Sequence, residues 1–358
     1  MTRQTTSEMQ RIILVSRPEK APVPDNFRLE SAPVPRPGAG ELLVRVIWLS
    51  LDPYMRGRMD AGKSYAAPVE LGAVMEGGAV GEVIESNHPD FPAGSFVNGP
   101  FGWQSHAISD GAMVRRLDPA IAPISTAVGV LGMPGMTAWA GLNLHGRPKE
   151  GETLVVAAAS GAVGAMVGQL GKAAGLRVVG IAGGAEKCAF VTQELGFDAC
   201  LDHRAAEDAR ALRKGLAAAC PKGVDIYYEN TGGKALEAVI GLMNPFGRIP
   251  LCGTIAWYNS GGLGKGATDG PNLLPGVWRA ILVNRLSVRG FIVTDHYDRF
   301  GDFLKEVAPM ISDGRIRYRE SIAEGLEAAP EAFIRMLEGG NFGKQLVAVS
   351  PDPTRGAG

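Results

Sequence analysis

Leu154-Val-Val-Ala-Ala-Ala-Ser-Gly-Ala-Val-Gly-Ala-Met-Val-Gly168 reads as a buried strand, a glycine turn and the first turns of a helix. Within it, Ala159-x-Gly161-x-x-Gly164 follows the dinucleotide-binding fingerprint, with alanine at the first glycine position. Gly161 lets the backbone approach a pyrophosphate closely, and Gly164 lets the helix pack tightly on the sheet. The N–H groups of the helix start (Ala162, Val163, Gly164, Ala165) and the positive end of its dipole then face the phosphates. Thr153 to Gly171 carries no charge and approaches the length of a membrane span. Such a span is rich in Leu, Ile, Val and Phe. The Ser160-Gly161 break and the alanine-glycine half favour a buried βα unit instead.

The chain has 358 residues, more than one ordinary core, so two domains are expected. Hydrophobic residues make up 46%, which suits a globular protein, and no long charged run argues for disorder. A net charge of −1 leaves no electrostatic footprint for nucleic acid or an anionic membrane. Met1–Gln10 is polar and carries no signal-peptide hydrophobic region. Cys188, Cys200, Cys220 and Cys252 include no C-x-x-C pair, which fits reduced thiols and a cytoplasmic location.

Before the fingerprint the chain is β-rich. Glu41–Leu51 reads as a strand, Val74–Ile84 as another interrupted by glycines, and Phe96–Asn98 and Ala112–Arg116 as shorter ones. Short turn intervals suggest a small barrel. After a helix over Leu131–Leu142, strand and helix signals alternate from Leu154 to Gly253, which predicts a doubly wound parallel sheet. Ser260–Gly270 is glycine-rich and is expected to form a mobile loop near a site. A helix over Pro330–Leu337 and a strand over Gln345–Val349 are expected to return to the first domain.

Six motifs resemble the zinc-free branch of the medium-chain dehydrogenase/reductase superfamily, which includes prostaglandin reductases, leukotriene B4 12-hydroxydehydrogenases and plant double-bond reductases. They are Leu51-Asp-Pro-Tyr-Met-Arg-Gly57, Gly132-Met-Pro-Gly-Met-Thr137, Ala158-Ala-Ser-Gly-Ala-Val-Gly164, Glu229-Asn-Thr-Gly-Gly233, Cys252-Gly-Thr-Ile255 and Gly340-Asn-Phe-Gly-Lys344. The resemblance implies an α/β fold in which a Rossmann domain (131–314) is inserted into a GroES-like β-barrel domain (1–130 and 315–358). It also implies a homodimer.

The strand after the fingerprint ends Ile181-Ala-Gly-Gly-Ala-Glu-Lys187. An NAD site places a carboxylate about 20 residues after the glycine turn to hold the ribose. Here Gly183 and Gly184 stand at the tip and Lys187 follows, which favours the 2′-phosphate of NADPH. Glu186 falls inside the helix start. Where the family carries a tyrosine after the third strand, this chain has His203. With Arg204 beside it, His203 either donates to the phosphate or forms a plain surface pair. By resemblance, Met133, Thr137, Asn230, Cys252, Gly253, Thr254, Ile255, Tyr258, Phe291, Ile292, Val293 and Asn341 line the remainder of the cofactor site. Residue by residue, Asn230 reads equally as a helix cap and Phe291 as core.

The zinc enzymes of the superfamily carry a Cys, a Gly-His-Glu triplet and a later Cys. The corresponding strands here read Leu51-Asp-Pro-Tyr-Met and Met75-Glu-Gly-Gly, and the five histidines show no ligand spacing. Hydride addition to an electron-poor C=C is the chemistry that remains, with a small enal or enone as substrate. Tyr258 is the resemblance's candidate for stabilising the enolate or donating the proton, together with the cofactor ribose. Its bland alternative is a packing residue. Tyr54 is a substrate-orienting hydroxyl or an aromatic cover on the barrel. Met55, Trp257 and Trp278 are expected to shape an apolar pocket. Quinone reduction and NADPH binding without turnover are the competing functions.

Overall fold

The computed structural model describes residues 7–260 and 272–355; most of the glycine-rich stretch expected as a loop over Ser260–Gly270 lies outside them. The N-terminal part supplies β1 (Glu8–Leu14), β2 (Phe27–Pro33), β3 (Leu42–Ser50), helix α1 (Met55–Arg58), β4 (Ala79–Ser86), β5 (Phe96–Gly99), β6 (His106–Ser109) and β7 (Arg115–Leu117). Next come α2 (Met133–Ala140), β8 (Thr153–Ala157), α3 (Ala162–Ala173), β9 (Arg177–Ala182), α4 (Ala185–Gln193) and β10 (Ala199–Asp202). They are followed by α5 (Ala209–Ala219), β11 (Val224–Tyr228), α6 (Gly233–Ile240), β12 (Met243–Leu251), α7 (Leu274–Asn284) and β13 (Ser287–Gly290). The tail adds α8 (Phe300–Ser312), β14 (Glu320–Glu324), α9 (Ala329–Leu337) and β15 (Lys344–Ala348).

Strands β8 to β13 form one parallel sheet in the order β10-β9-β8-β11-β12-β13. Every residue of β8 is buried, as expected for a central parallel strand with helices on both faces. One apolar cluster packs α2, α3 and α8 on one face of this sheet, and a second packs α5 and α6 on the other. The strand order reverses between β8 and β11, the point at which open α/β sheets bind ligands. This is the doubly wound Rossmann arrangement.

The second sheet runs β14-β15-β3-β4-β5-β7, with β6 also on β3. The register between β3 and β4 shifts twice, and a Cβ on Gly81 would lie 2.5 Å from the Arg45 carbonyl oxygen. The glycines of this region therefore mark a bulged corner, as in a GroES-like barrel. The tail returns as expected: β15 pairs antiparallel with β3, Leu346 opposite Ser50. Three strands, β2, β6 and β14, stand where the sequence signal placed none. Strand β4 begins at Ala79 rather than Val74, which makes only a single pairing with Ile13. The expected helix 131–142 shortens to α2 and opens into a wider turn over Gly141–Gly146. A Cβ on Gly141 would lie 2.3 Å from the Tyr228 hydroxyl, so the two elements touch there.

Candidate active site

A cleft of about 1000 Å³ separates the two sheets and is lined by residues of both. At its centre β8 turns into α3. The left-handed residue of that turn is Ala158 (φ 51°), one position before the Ala159 that the fingerprint singles out. A Cβ on Gly164 would sit 2.3 Å from the Ala158 carbonyl oxygen, so this position tolerates only glycine without movement. Gly161 has an ordinary φ of −82° and caps α3 without a side-chain bond. A Cβ there would meet only the Ala158 oxygen, at 3.2 Å. Its remaining side is open, and the first N–H groups of α3 have no intrahelical partner. Gly161, Ala162, Val163 and Gly164 line the cleft, whereas Ala165 does not. Its N–H closes the first helical turn on Gly161 O, and its side chain is turned into the core.

One end of the cleft is cationic. Gly183, Lys187, His203, Arg204 and Lys234 line it. A Cβ on Gly183 would lie 2.9 Å from both the His203 and Arg204 side chains, which fold over the strand tip. The nearby Asp202 is occupied with the backbone, accepting from Gly184 N–H and Arg204 N–H at 2.8 Å each. Lys187 Nζ donates to Gly339 O at 2.9 Å, and Arg204 Nη2 to the same oxygen at 3.4 Å. Lys234 Nζ donates to Ala206 O at 2.9 Å and His203 O at 3.2 Å. Among the described residues none of these three cations is in an ion pair. Burial, reinforced by Arg204, pushes the pKa of both Lys187 and His203 down, so His203 is neutral at physiological pH. Lys234 was not singled out from the sequence, since a lysine behind a Gly-Gly pair carries no signal of its own.

The same cleft also takes in Met133, Thr137, Asn230, Cys252, Gly253, Ile255, Tyr258, Phe291, Ile292, Val293 and Asn341. Asn230 Nδ2 donates to Ala157 O at 2.8 Å, and Tyr228 Oη donates to Thr137 O at 2.8 Å. Tyr258 follows a short 3₁₀ turn over Ile255–Trp257. Its oxygen accepts one long bond, 3.4 Å, from Thr254 N–H, and burial pushes its phenol up to about 12. Thr254 thus serves through its backbone and lies outside the cleft lining. Burial likewise pushes the Cys252 thiol up to about 12.

Tyr54 precedes α1 and also lines the cleft. Burial, then Asp52 and Glu76, hold its phenol well above the ordinary tyrosine value. The Arg58 guanidinium stands 5.6 Å from the Tyr54 ring centroid and 4.4 Å from that of Tyr65, and it pairs with Glu76 at 2.6 Å. Beneath them Lys344 from the tail pairs with buried Asp52 at 2.7 Å.

Three expected pocket residues are placed elsewhere. Met55 is fully buried in the barrel core, Trp257 packs over Gly232, and Trp278 is 62% exposed on the outer side of α7. The histidines hold one surprise: His145 and His296 meet through their Nε2 atoms at 3.0 Å. Among the described residues no three His, Cys, Asp or Glu side chains are grouped to hold a metal ion.

Two family profiles match the chain: N-terminal domain of oxidoreductase over residues 10–117, and zinc-binding dehydrogenase over 162–309. The NADPH-dependent curcumin reductase of Escherichia coli K12 is 51% identical over 350 residues, 98% of this chain and 99% of the relative. The NADP(+)-dependent 2-alkenal reductase of Nicotiana tabacum is 39% identical over 315 residues, 87% of this chain and 88% of the relative. The crystal structure of CurA from Vibrio vulnificus in complex with NADPH has a TM-score of 0.90 at 48% identity, covering 96% of this chain and 100% of that one. With such identity along nearly its whole length, the chain belongs to the zinc-free double-bond reductase branch of the medium-chain dehydrogenase/reductase superfamily.

Proposed function

We propose that this chain catalyses the NADPH-dependent reduction of the C=C bond of α,β-unsaturated aldehydes and ketones. The carrying observation is one cleft with two chemically different parts: cations around Gly183 that form no ion pair among the described residues, and the phenol groups of Tyr258 and Tyr54. The relatives' names, curcumin reductase and 2-alkenal reductase, support the same reading. The residues fit the cofactor. Lys187 and Arg204, with neutral His203 beside them, would hold its 2′-phosphate, and the uncapped start of α3 its pyrophosphate. Asn230, Cys252–Ile255, Phe291–Val293 and Asn341 would flank its nicotinamide, with Met133 and Thr137 behind.

Bound there, the reduced nicotinamide supplies the hydride that the β-carbon accepts. Negative charge then develops on the substrate oxygen, and a proton drawn ultimately from solvent adds to the α-carbon to complete the saturated product. Tyr258 is placed to meet that charge, because its proton is not committed to any protein acceptor among the described residues. A phenol raised to about 12 stays protonated at neutral pH and so remains a donor. Tyr54 orients the substrate through its hydroxyl. The same reading takes 1–130 with 315–358 as the substrate unit and 131–314 as the cofactor unit, and it includes a cytoplasmic location.

A homodimer belongs to the proposal as well. Strand β13 is exposed at the edge of the parallel sheet, and α7 turns Leu274, Trp278, Leu282 and Val283 outward. A bare edge beside an apolar helix face invites pairing; a monomeric mass in sedimentation would overturn it. The test of function is a turnover screen of enals, enones and quinones with both nicotinamides. Enal and enone consumption with NADPH is expected. Turnover of quinones alone, comparable affinity for NADH, or no oxidation of NADPH would each refute the reading.

A further inference from the structure

We infer that Arg115 gives this enzyme a preference for enals and enones that carry a carboxylate at the end remote from the double bond. This rests on the enone-reductase reading above and goes beyond it to the second functional group of the substrate. The argument is one of charge. At the cationic end of the cleft, Lys187 and Arg204 would face the phosphates of the bound cofactor. Away from that end, five side chains of the acid and base types line the cleft: Asp52, Arg58, Glu76, Arg115 and Lys344. Four of them cancel in pairs, Lys344 with Asp52 at 2.7 Å and Arg58 with Glu76 at 2.6 Å. Arg115 is the remainder. Among the described residues it has no carboxylate partner.

The guanidinium is held in place without being neutralised. Arg115 lies on β7, at the barrel-side wall of the cleft. Nη2 donates to Leu131 O at 3.1 Å, and Cζ stands 5.1 Å from the Phe300 ring centroid. These contacts fix its orientation and leave the other donors unused. Nε and Nη1 have no acceptor among the described residues, yet they are not sealed from solvent. A half-buried cation stacked on an aromatic ring has lost part of its hydration. An incoming carboxylate restores that loss through a charge-assisted, bidentate contact, which a guanidinium is shaped to make. Met113, Val114, Val128 and Met133 line the wall around it, so the spacer between enone and acid is apolar.

The test uses a medium-chain α,β-unsaturated aldehyde ending in a carboxylate, and its methyl ester. In the native enzyme kcat/KM for the acid should exceed that for the ester by about tenfold or more, the worth of one charged hydrogen bond. Arg115→Gln should bring the ratio to about one, and Arg115→Lys should retain part of it. Binding of the two saturated products to the protein with NADP+ gives the same comparison without turnover. If the acid binds more tightly, and Arg115→Gln abolishes this while neither aldehyde is reduced, the inference stands and the reductase reading fails. A native ratio near one, a ratio that survives Arg115→Gln, or a loss of NADPH affinity as large as the loss of acid preference would overturn it.

Discussion

Replacing Tyr258 by phenylalanine removes a single hydroxyl from the catalytic end of the cleft. That oxygen accepts one bond, from Thr254 N–H at 3.4 Å, which is long for a hydrogen bond. Its loss should therefore cost no more than about 1 kcal/mol of stability, and the melting temperature should barely move. The catalytic loss is larger, because a donor aimed at a developing oxyanion typically contributes about a hundred- to a thousandfold in kcat. Steady-state NADPH oxidation with a saturating enal reads this directly, with kcat falling and KM nearly constant. The native pH profile gives an independent check. Burial raises the phenol from its ordinary value of about 10 to about 12, so the donor form persists where an ordinary tyrosine would ionise. Activity should hold level through that range and fall only as pH approaches 12. A kcat for Tyr258→Phe within about threefold of native would refute the donor role, given the magnitude above. So would an alkaline limb in the native enzyme near the ordinary tyrosine value.

Lys187→Ala should weaken NADPH binding by about ten- to a hundredfold, through loss of one charge-assisted contact, and leave NADH nearly untouched. Nucleotide fluorescence titration decides it, and equal losses for both nucleotides would contradict the assignment. Gly164→Ala drives a Cβ to within 2.3 Å of the Ala158 carbonyl oxygen, and backbone cannot step aside as a side chain can. A cost of about 1–3 kcal/mol or more is expected, seen as a lower melting temperature; an unchanged melt would show that the turn yields easily. Cys252, whose thiol is held up to about 12, should react with maleimide near neutral pH on the order of a thousandfold more slowly than an ordinary thiol. Mass-spectrometric alkylation rates check this, and modification as fast as in unfolded protein would overturn it. Such inertness would suit the electrophilic enals and enones proposed as substrates.

The β8–α3 unit was legible because the hydrophobic period changes within a few residues and glycine stands at the turn. Lys187 was legible because a parallel strand of fixed length sets where its tip must fall. Strands β6 and β14 were not. Their residues, His106–Ser109 and Glu320–Glu324, carry little strand signal and owe their state to partners distant in sequence, Leu42–Arg45 and Lys344–Ala348. Trp278 was expected to face inward, but an apolar helix face does not say whether its own chain covers it. The contact of His145 with His296 spans 151 positions and leaves no local trace. Arg115 is the same problem in electrostatic form. Its meaning lies in which charges around it are already paired, and pairing is decided only when the chain is folded.

The segment 338–344 shows what that folding adds to the site. Gly339 O accepts from Lys187 and Arg204 at the cationic end. Phe342 packs edge-on against Phe190 of α4, ring centroids 4.9 Å apart. Gly343 N–H donates to Ser160 O at 3.2 Å, beside the glycine turn. Lys344 then passes under the barrel to Leu51 O and Asp52, two residues before Tyr54. One short stretch therefore touches the cation cluster, the glycine turn and the Leu51–Asp52 backbone ahead of Tyr54. It is fixed there by the pairing of β15 with β3, so the barrel sets the position of a strap on the parallel sheet. Several of these links use backbone carbonyls and an amide, which depend on where the chain runs more than on which side chains it carries. Both parts of the cleft are thereby referred to a single stretch of the tail, and the spacing between them follows from how that tail is threaded.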